Sequence, residues 1–141
     1  MRYIIVFLSF AGLIVSTLAL RVHYSTATEP CSINDRWDCG TVNHSSYSVI
    51  LHVPVAAIGM AGYLLLGVLA LARRRILLLA ATLLGLAFAL HLSSIERNVL
   101  EVWCLYCVIS QGIIALIALL SVAWLIAAEI SKSRARRAAS A

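Results

Sequence analysis

Residues 3–20 read YIIVFLSFAGLIVSTLAL, an unbroken apolar run behind a lone Arg2. About 18 consecutive apolar residues suffice for a helix to cross a bilayer. A cleaved signal peptide is the alternative, because Arg2 resembles a charged n-region and Ser25-Thr26-Ala27-Thr28 is rich in small residues. The run is long for the apolar part of a signal peptide, about 7–15 residues. The rest of the chain argues for the membrane too. Of the 141 residues, 62% are hydrophobic and 12% charged, where a soluble domain has about 45–50% and about 25%. Mean hydropathy is +0.98. A disordered chain and a soluble enzyme with a wetted surface are both excluded.

Three more apolar runs follow, at about 49–72, 76–95 and 99–128. Gly59, Gly62 and Gly67 in the second are small residues that let helices approach closely in lipid. Pro54 lies near that run's start, where a missing N–H costs least. Asn98 is a candidate cap for the fourth helix, with Glu101 three residues on. The reading is an all-α, integral-membrane four-helix bundle spanning 1–141 as one domain. Its helices lie at about 3–21, 49–72, 76–95 and 99–128, and a basic tail follows at 129–141. A soluble four-helix core would need polar outer faces, which these runs lack.

Charge sets the orientation. With the N-terminus inside, the inner set is Arg2, Arg73, Arg74, Arg75, Lys132, Arg134, Arg136 and Arg137. The outer set is Arg21, Arg36 and Arg97. Cytoplasmic loops carry the excess of Lys and Arg, so both termini are expected inside, with an extracytoplasmic loop between helices 1 and 2. The net charge of +5 then reflects anchors and contacts with anionic membrane lipid, and no nucleic acid is expected as a partner.

That topology gathers all four cysteines at the outer face. Cys31 and Cys39 lie in the first outer loop; Cys104 and Cys107 form a CxxC near the outer end of the fourth helix. Thiols tend to pair in an oxidising compartment. Positions i and i+3 of a helix share a face, and a CxxC near a helix start suits an exchangeable pair. A cap at Asn98 would leave Cys104 beyond the reach of the helix dipole, which fades within the first turn. Three readings stand together here: two structural disulfides, a zinc site, and a redox relay. Seven residues between the loop cysteines is wide of ordinary zinc spacing, so no metal is expected. A relay gives each pair a reason for its place: one meets an aqueous thiol partner, the other lies at the depth of a lipid-soluble oxidant.

The stretches CSINDRWDCGTVNHSS (31–46), VPVAAIGMAGY (53–63) and WCLYCVISQ (103–111) together resemble the vitamin K epoxide reductase family in its bacterial four-helix form. The resemblance covers essentially the whole chain. It implies a quinone-dependent thiol oxidoreductase of the bacterial cytoplasmic membrane that supports disulfide formation. The electron acceptor would be a quinone of the ubiquinone or menaquinone type. A separate thioredoxin-like (DsbA-like) protein would be the partner. By the same resemblance, Cys107 reduces the quinone, Cys104 exchanges with the loop, Cys39 bridges to Cys104, and Cys31 takes electrons from the partner. Ser45 matches a serine or threonine near the active site. An Asn and a Tyr that bind the quinone head group in vertebrate relatives correspond here to Val55 and Gln111, which favours a bacterial quinone over vitamin K epoxide.

Four residues also come from the pattern itself. His91 is an ionisable residue inside the third apolar run, which marks function by default and is equally read as structural. Trp103 and Tyr106 belong to an interfacial aromatic belt or line a quinone pocket. Gln111, one turn beyond Cys107, shares its face. The competing functions are an unrelated disulfide-generating bundle of the DsbB type, whose CxxC would sit in the first outer loop, and a structural or transport bundle stapled by two disulfides.

Overall fold

A computed structural model describes residues 1–26 and 31–140. Ala27 and Thr28, read above as part of a cleavage signal, lie outside the described residues. The chain runs through α1 (Arg2–Tyr24), a short α2 (Cys39–Asn43), a 3-10 turn (Ser46–Ser48), β1 (Val49–Ile50) and β2 (Val53–Pro54). It continues with α3 (Val55–Leu71), α4 (Arg75–Ile95), a π turn (Glu96–Leu100) and α5 (Leu105–Ala139). The protein is mostly helical. Helix α1 packs on α3 and α5, and α4 packs on α5 and α3. Helices α1 and α5, and α4 together with its π turn, are each long and apolar enough to cross a membrane. Helix α3 is apolar but has 17 residues, a rise of about 26 Å against a hydrocarbon core of about 30 Å. Phe7, Phe10, Leu64, Val68, Leu84 and Leu119 stay exposed on the outer faces, which in water would be an aggregation surface and in lipid is the solvated one.

Small residues set how closely α1 and α3 pack. Ile5, Ser9, Gly12, Ser16 and Ala19 are buried along one stripe of α1. Gly59 faces Ser16, Gly67 faces Ser9, and the Tyr63 ring fills the space where Gly12 has no side chain. A β-carbon at Gly12 would meet that ring directly, so position 12 has to be glycine for Tyr63 to keep its place. Gly62, grouped with the others from sequence, meets nothing in this interface. At the turn between α3 and α4, the Arg75 guanidinium stacks over the Trp124 ring at 5.1 Å.

Three boundaries differ from the sequence reading. The second helix begins at Val55, not near 49, because residues 49–54 form an antiparallel hairpin pairing Val49 with Pro54 and Ile50 with Val53. Its turn residues Leu51 and His52 have φ of 49° and 65°, the positive values a tight hairpin turn demands. Pro54 disfavours helix at the residue before it and ends up capping α3. The fourth helix begins at Leu105, not near 99, so Asn98 caps nothing; it lies in the π turn. Glu101 at φ 54° breaks the helical path there. At the other end, α5 runs through the expected basic tail to Ala139, since Lys, Arg and Ala are good helix formers.

Candidate functional site

The loop after α1 is tied down by one carboxylate. Asp38 is the N-cap of α2 and accepts from the Gly40 N–H at 2.9 Å and the Thr41 N–H at 3.3 Å. It also accepts from the Ser32 hydroxyl at 2.6 Å and the Thr41 hydroxyl at 2.8 Å. The Ser32 and Thr41 hydroxyls hold its carboxyl below the usual Asp value, so it stays ionised at neutral pH. This cap fixes Cys39, the first residue of α2, and Cys39 is joined to Cys31 in a disulfide with both residues buried.

The same loop hooks onto the chain ahead of the CxxC. The Trp103 N–H donates to the Arg36 carbonyl at 2.8 Å, and the Asp38 N–H donates to the Trp103 carbonyl at 3.1 Å. This parallel bridge brings the Trp37 and Trp103 rings to 6.5 Å. Cys31, Cys39 and Cys104 consequently pack in one buried cluster with Val22 and Val42, and Cys107 lies at its edge.

Cys104 occupies the N-cap position of α5, its sulfur accepting from the Cys107 N–H at 3.4 Å. The late helix start thus puts the CxxC in the first turn, where the helix dipole favours a thiolate. The Asn43 amide donates to the same sulfur at 3.6 Å and to the Cys39 carbonyl at 2.9 Å, bridging the two cysteine pairs. A hydrogen bond from the Cys107 side chain, aided by the Cys107 N–H and Asn43, holds the Cys104 thiol below its ordinary value against burial and the Glu96 charge. Cys104 and Cys107 are both free thiols.

Cys107 opens onto a cavity of about 610 Å³, within the range of small-molecule sites. Val55, Ile58, Leu84, Phe88 and Ile114 are among its apolar walls, and Asn43, Ser45, Glu96 and Ser110 add polar groups. The Tyr63 hydroxyl bonds the Ser110 carbonyl and hydroxyl, both at 2.8 Å, holding α3 to α5 beside Cys107. A free thiol at an apolar chamber, with a buried disulfide behind the thiol's partner, can take part in thiol–disulfide exchange.

A family model for vitamin K epoxide reductases matches residues 3–133. The chain belongs to the vitamin K epoxide reductase family. Membership places it in a class of membrane oxidoreductases that act on disulfides. A search of the curated proteins gives no match.

Against the family's expected site, the four cysteines come together and Ser45 lines the cavity, its hydroxyl bonded to the Val42 carbonyl at 2.7 Å. Gln111, Trp103 and His91 stand outside the residues that line the cavity. Gln111 accepts from the Ser93 hydroxyl at 2.6 Å, joining α4 to α5. Trp103 belongs to the loop bridge, and His91 is exposed on α4. Tyr106 does line the cavity. Asn43 and Glu96 were missed from sequence. Asn43 sits four residues after Cys39, the spacing that lets its amide reach back to that carbonyl within a helical turn. Glu96 read as linker, but a carboxylate beside the end of an apolar run is a signal of its own.

Proposed function

We propose that this protein reoxidises an extracytoplasmic thioredoxin-like protein and passes the electrons to membrane quinone. The observation that carries the reading is the division of labour in the CxxC: Cys104 packs against the loop disulfide while Cys107 faces the apolar cavity. The reduced partner exchanges with Cys31–Cys39, leaving as a disulfide and giving a loop dithiol. Cys39 thiolate then attacks Cys104 in a Cys104–Cys107 disulfide, expelling Cys107. Cys31 attacks Cys39 in turn, restoring the loop disulfide and releasing Cys104. The product is a loop disulfide with two free CxxC thiols, the pairing found in the structure. Each step swaps one S–S bond for another by way of a mixed disulfide.

The cavity residues fit a quinone. Apolar walls suit the ring and tail, and Ser45, Ser110 and Tyr63 place polar groups beside them. When bound, the quinone accepts the two electrons and two protons that Cys104 and Cys107 release on forming a disulfide. Mixing purified protein, a reduced thioredoxin-like protein and quinone should give quinone loss, followed by its absorbance, together with partner oxidation. Partner oxidation without quinone loss would overturn the acceptor, and neither would overturn the function.

The reading places both termini in the cytoplasm of a bacterium, with the cysteines outside its cytoplasmic membrane, on the charge asymmetry given above. A membrane-impermeant thiol reagent applied to intact cells after reduction should label Cys31 and Cys39. A cysteine introduced beside Arg74 should stay unlabelled, and its labelling would reverse the topology.

A further inference from the structure

Glu96 is 3% exposed, a carboxyl group at the end of an apolar helix where burial is costly unless the charge is partnered. Its Oε2 accepts from the Cys104 N–H at 3.2 Å, which sets the carboxyl group against the start of α5, the turn that carries Cys107, and Glu96 and Cys107 line the same cavity. It also lines the cavity, where it is the only carboxyl group among the described lining residues.

The backbone is irregular at this point. Glu96 opens the π turn Glu96–Leu100, and Glu101 follows in the left-handed region at φ 54°. Single π turns recur at functional sites, and left-handed backbone at a residue other than glycine persists where the surroundings enforce it. Non-helical backbone at membrane depth is tolerated where it is buried in protein or lines a cavity. A plain helix ending could satisfy the Cys104 N–H with a neutral acceptor, so that bond alone does not account for a carboxylate here.

We propose that Glu96 is a catalytic residue that moves the Cys107 proton into the quinone cavity. This rests on the quinone reading of the site. As Cys104 and Cys107 join, their two S–H bonds break and one S–S bond forms, and the pair gives up two electrons and two protons. Glu96 takes the Cys107 proton and would hand it to a quinone bound in the cavity. That quinone would receive both electrons and, as its second proton, the one from Cys104, leaving as a quinol.

Glu96→Gln is the deciding variant, because its amide oxygen still accepts from the Cys104 N–H while its side chain no longer carries a proton. The expected result is a fall of about 100-fold or more in quinone turnover, the usual reach of general acid–base catalysis. Quinone KM should change far less. Exchange between the reduced partner and the loop disulfide should continue, and Glu96→Asp should recover part of the turnover. Wild-type turnover in Glu96→Gln would overturn the proposal. The second readout uses protein without quinone. Reducing and reoxidising the CxxC should change a carboxyl band in the infrared difference spectrum, and Glu96→Gln should remove that band. A band that persists in the variant, or none in the wild type, overturns the role of Glu96. Wild-type protein that reduces no quinone would instead sink the functional reading, leaving the infrared result to decide on Glu96 alone.

Discussion

Cys107→Ala should lose quinone reduction by a factor on the order of 10³ or more, as removal of a reacting nucleophile does. Cys107 is the CxxC thiol that lines the cavity, and no other cysteine does so among the described residues. Without it, Cys104 has no partner with which to close a disulfide while giving up two electrons. The substitution leaves the local structure intact for definable reasons. The N–H that caps onto Cys104 Sγ belongs to the backbone of residue 107, so alanine keeps it. Alanine is also the best helix former, and Cys107 is only half-buried. Stopped-flow measurement of quinone absorbance with prereduced protein isolates this step from partner exchange. Turnover matching the wild type, with quinone as sole acceptor, would show that electrons leave by another group. Cys104→Ala makes the useful contrast. It keeps Cys107 at the cavity but removes both the cap on α5 and the sulfur next to the loop, so transfer from the loop should stop.

The membrane character was legible in the sequence because apolar runs of this length are rare outside membrane-spanning helices. The cysteines were legible because charge asymmetry and loop position both brought them to one face. Other features depended on interactions that periodicity does not encode. Residues 49–54 contain Val49, Ile50, Val53 and Pro54, which in an apolar run read as helix; the hairpin exists because Leu51 and His52 adopt left-handed backbone. The break at 96–104 was equally hidden. A sequence pattern gave Asn98 a capping role, but Glu101 turned the chain and Cys104 became the cap. That shift of about six residues moved the CxxC from the second turn to the first, and so changed the electrostatics expected of Cys104. The stripe of Ser9, Gly12, Ser16 and Ala19 was visible as spacing, yet its partner became identifiable only through the Tyr63 ring. Gln111, Trp103 and His91 had been grouped by depth and helical face. Depth alone does not distinguish a cavity wall from an α4–α5 tie, a loop bridge or an exposed helix surface.

The second large effect concerns the order of the relay, and it appears as trapped species. Cys39 is the loop cysteine tied toward the CxxC: Asp38 caps its helix, the Trp37–Trp103 bridge holds the preceding residues, and Asn43 bonds its carbonyl and the Cys104 sulfur. Cys39 is therefore positioned to exchange with Cys104, which leaves Cys31 for the aqueous partner. The loop disulfide is buried, so the partner reaches it when the loop opens. Mixed disulfides accumulate when the resolving thiol is removed. Cys39→Ala mixed with the oxidised partner should collect a partner adduct on Cys31: the Cys31 thiolate opens the partner's disulfide, one partner sulfur leaves as a thiol, and the Cys39 thiol that would release the adduct is gone. Cys107→Ala should collect an internal Cys39–Cys104 bond in the fraction whose loop disulfide is intact: the Cys104 thiolate attacks Cys39 and expels Cys31 as a free thiol, and Cys107 is no longer there to take Cys104 back. Each species should be dominant in its variant and nearly absent from the wild type, and non-reducing mass spectrometry of proteolytic fragments distinguishes them. The partner found on Cys104 in both variants would make Cys31–Cys39 a structural staple, with the thioredoxin-like protein exchanging directly at the CxxC.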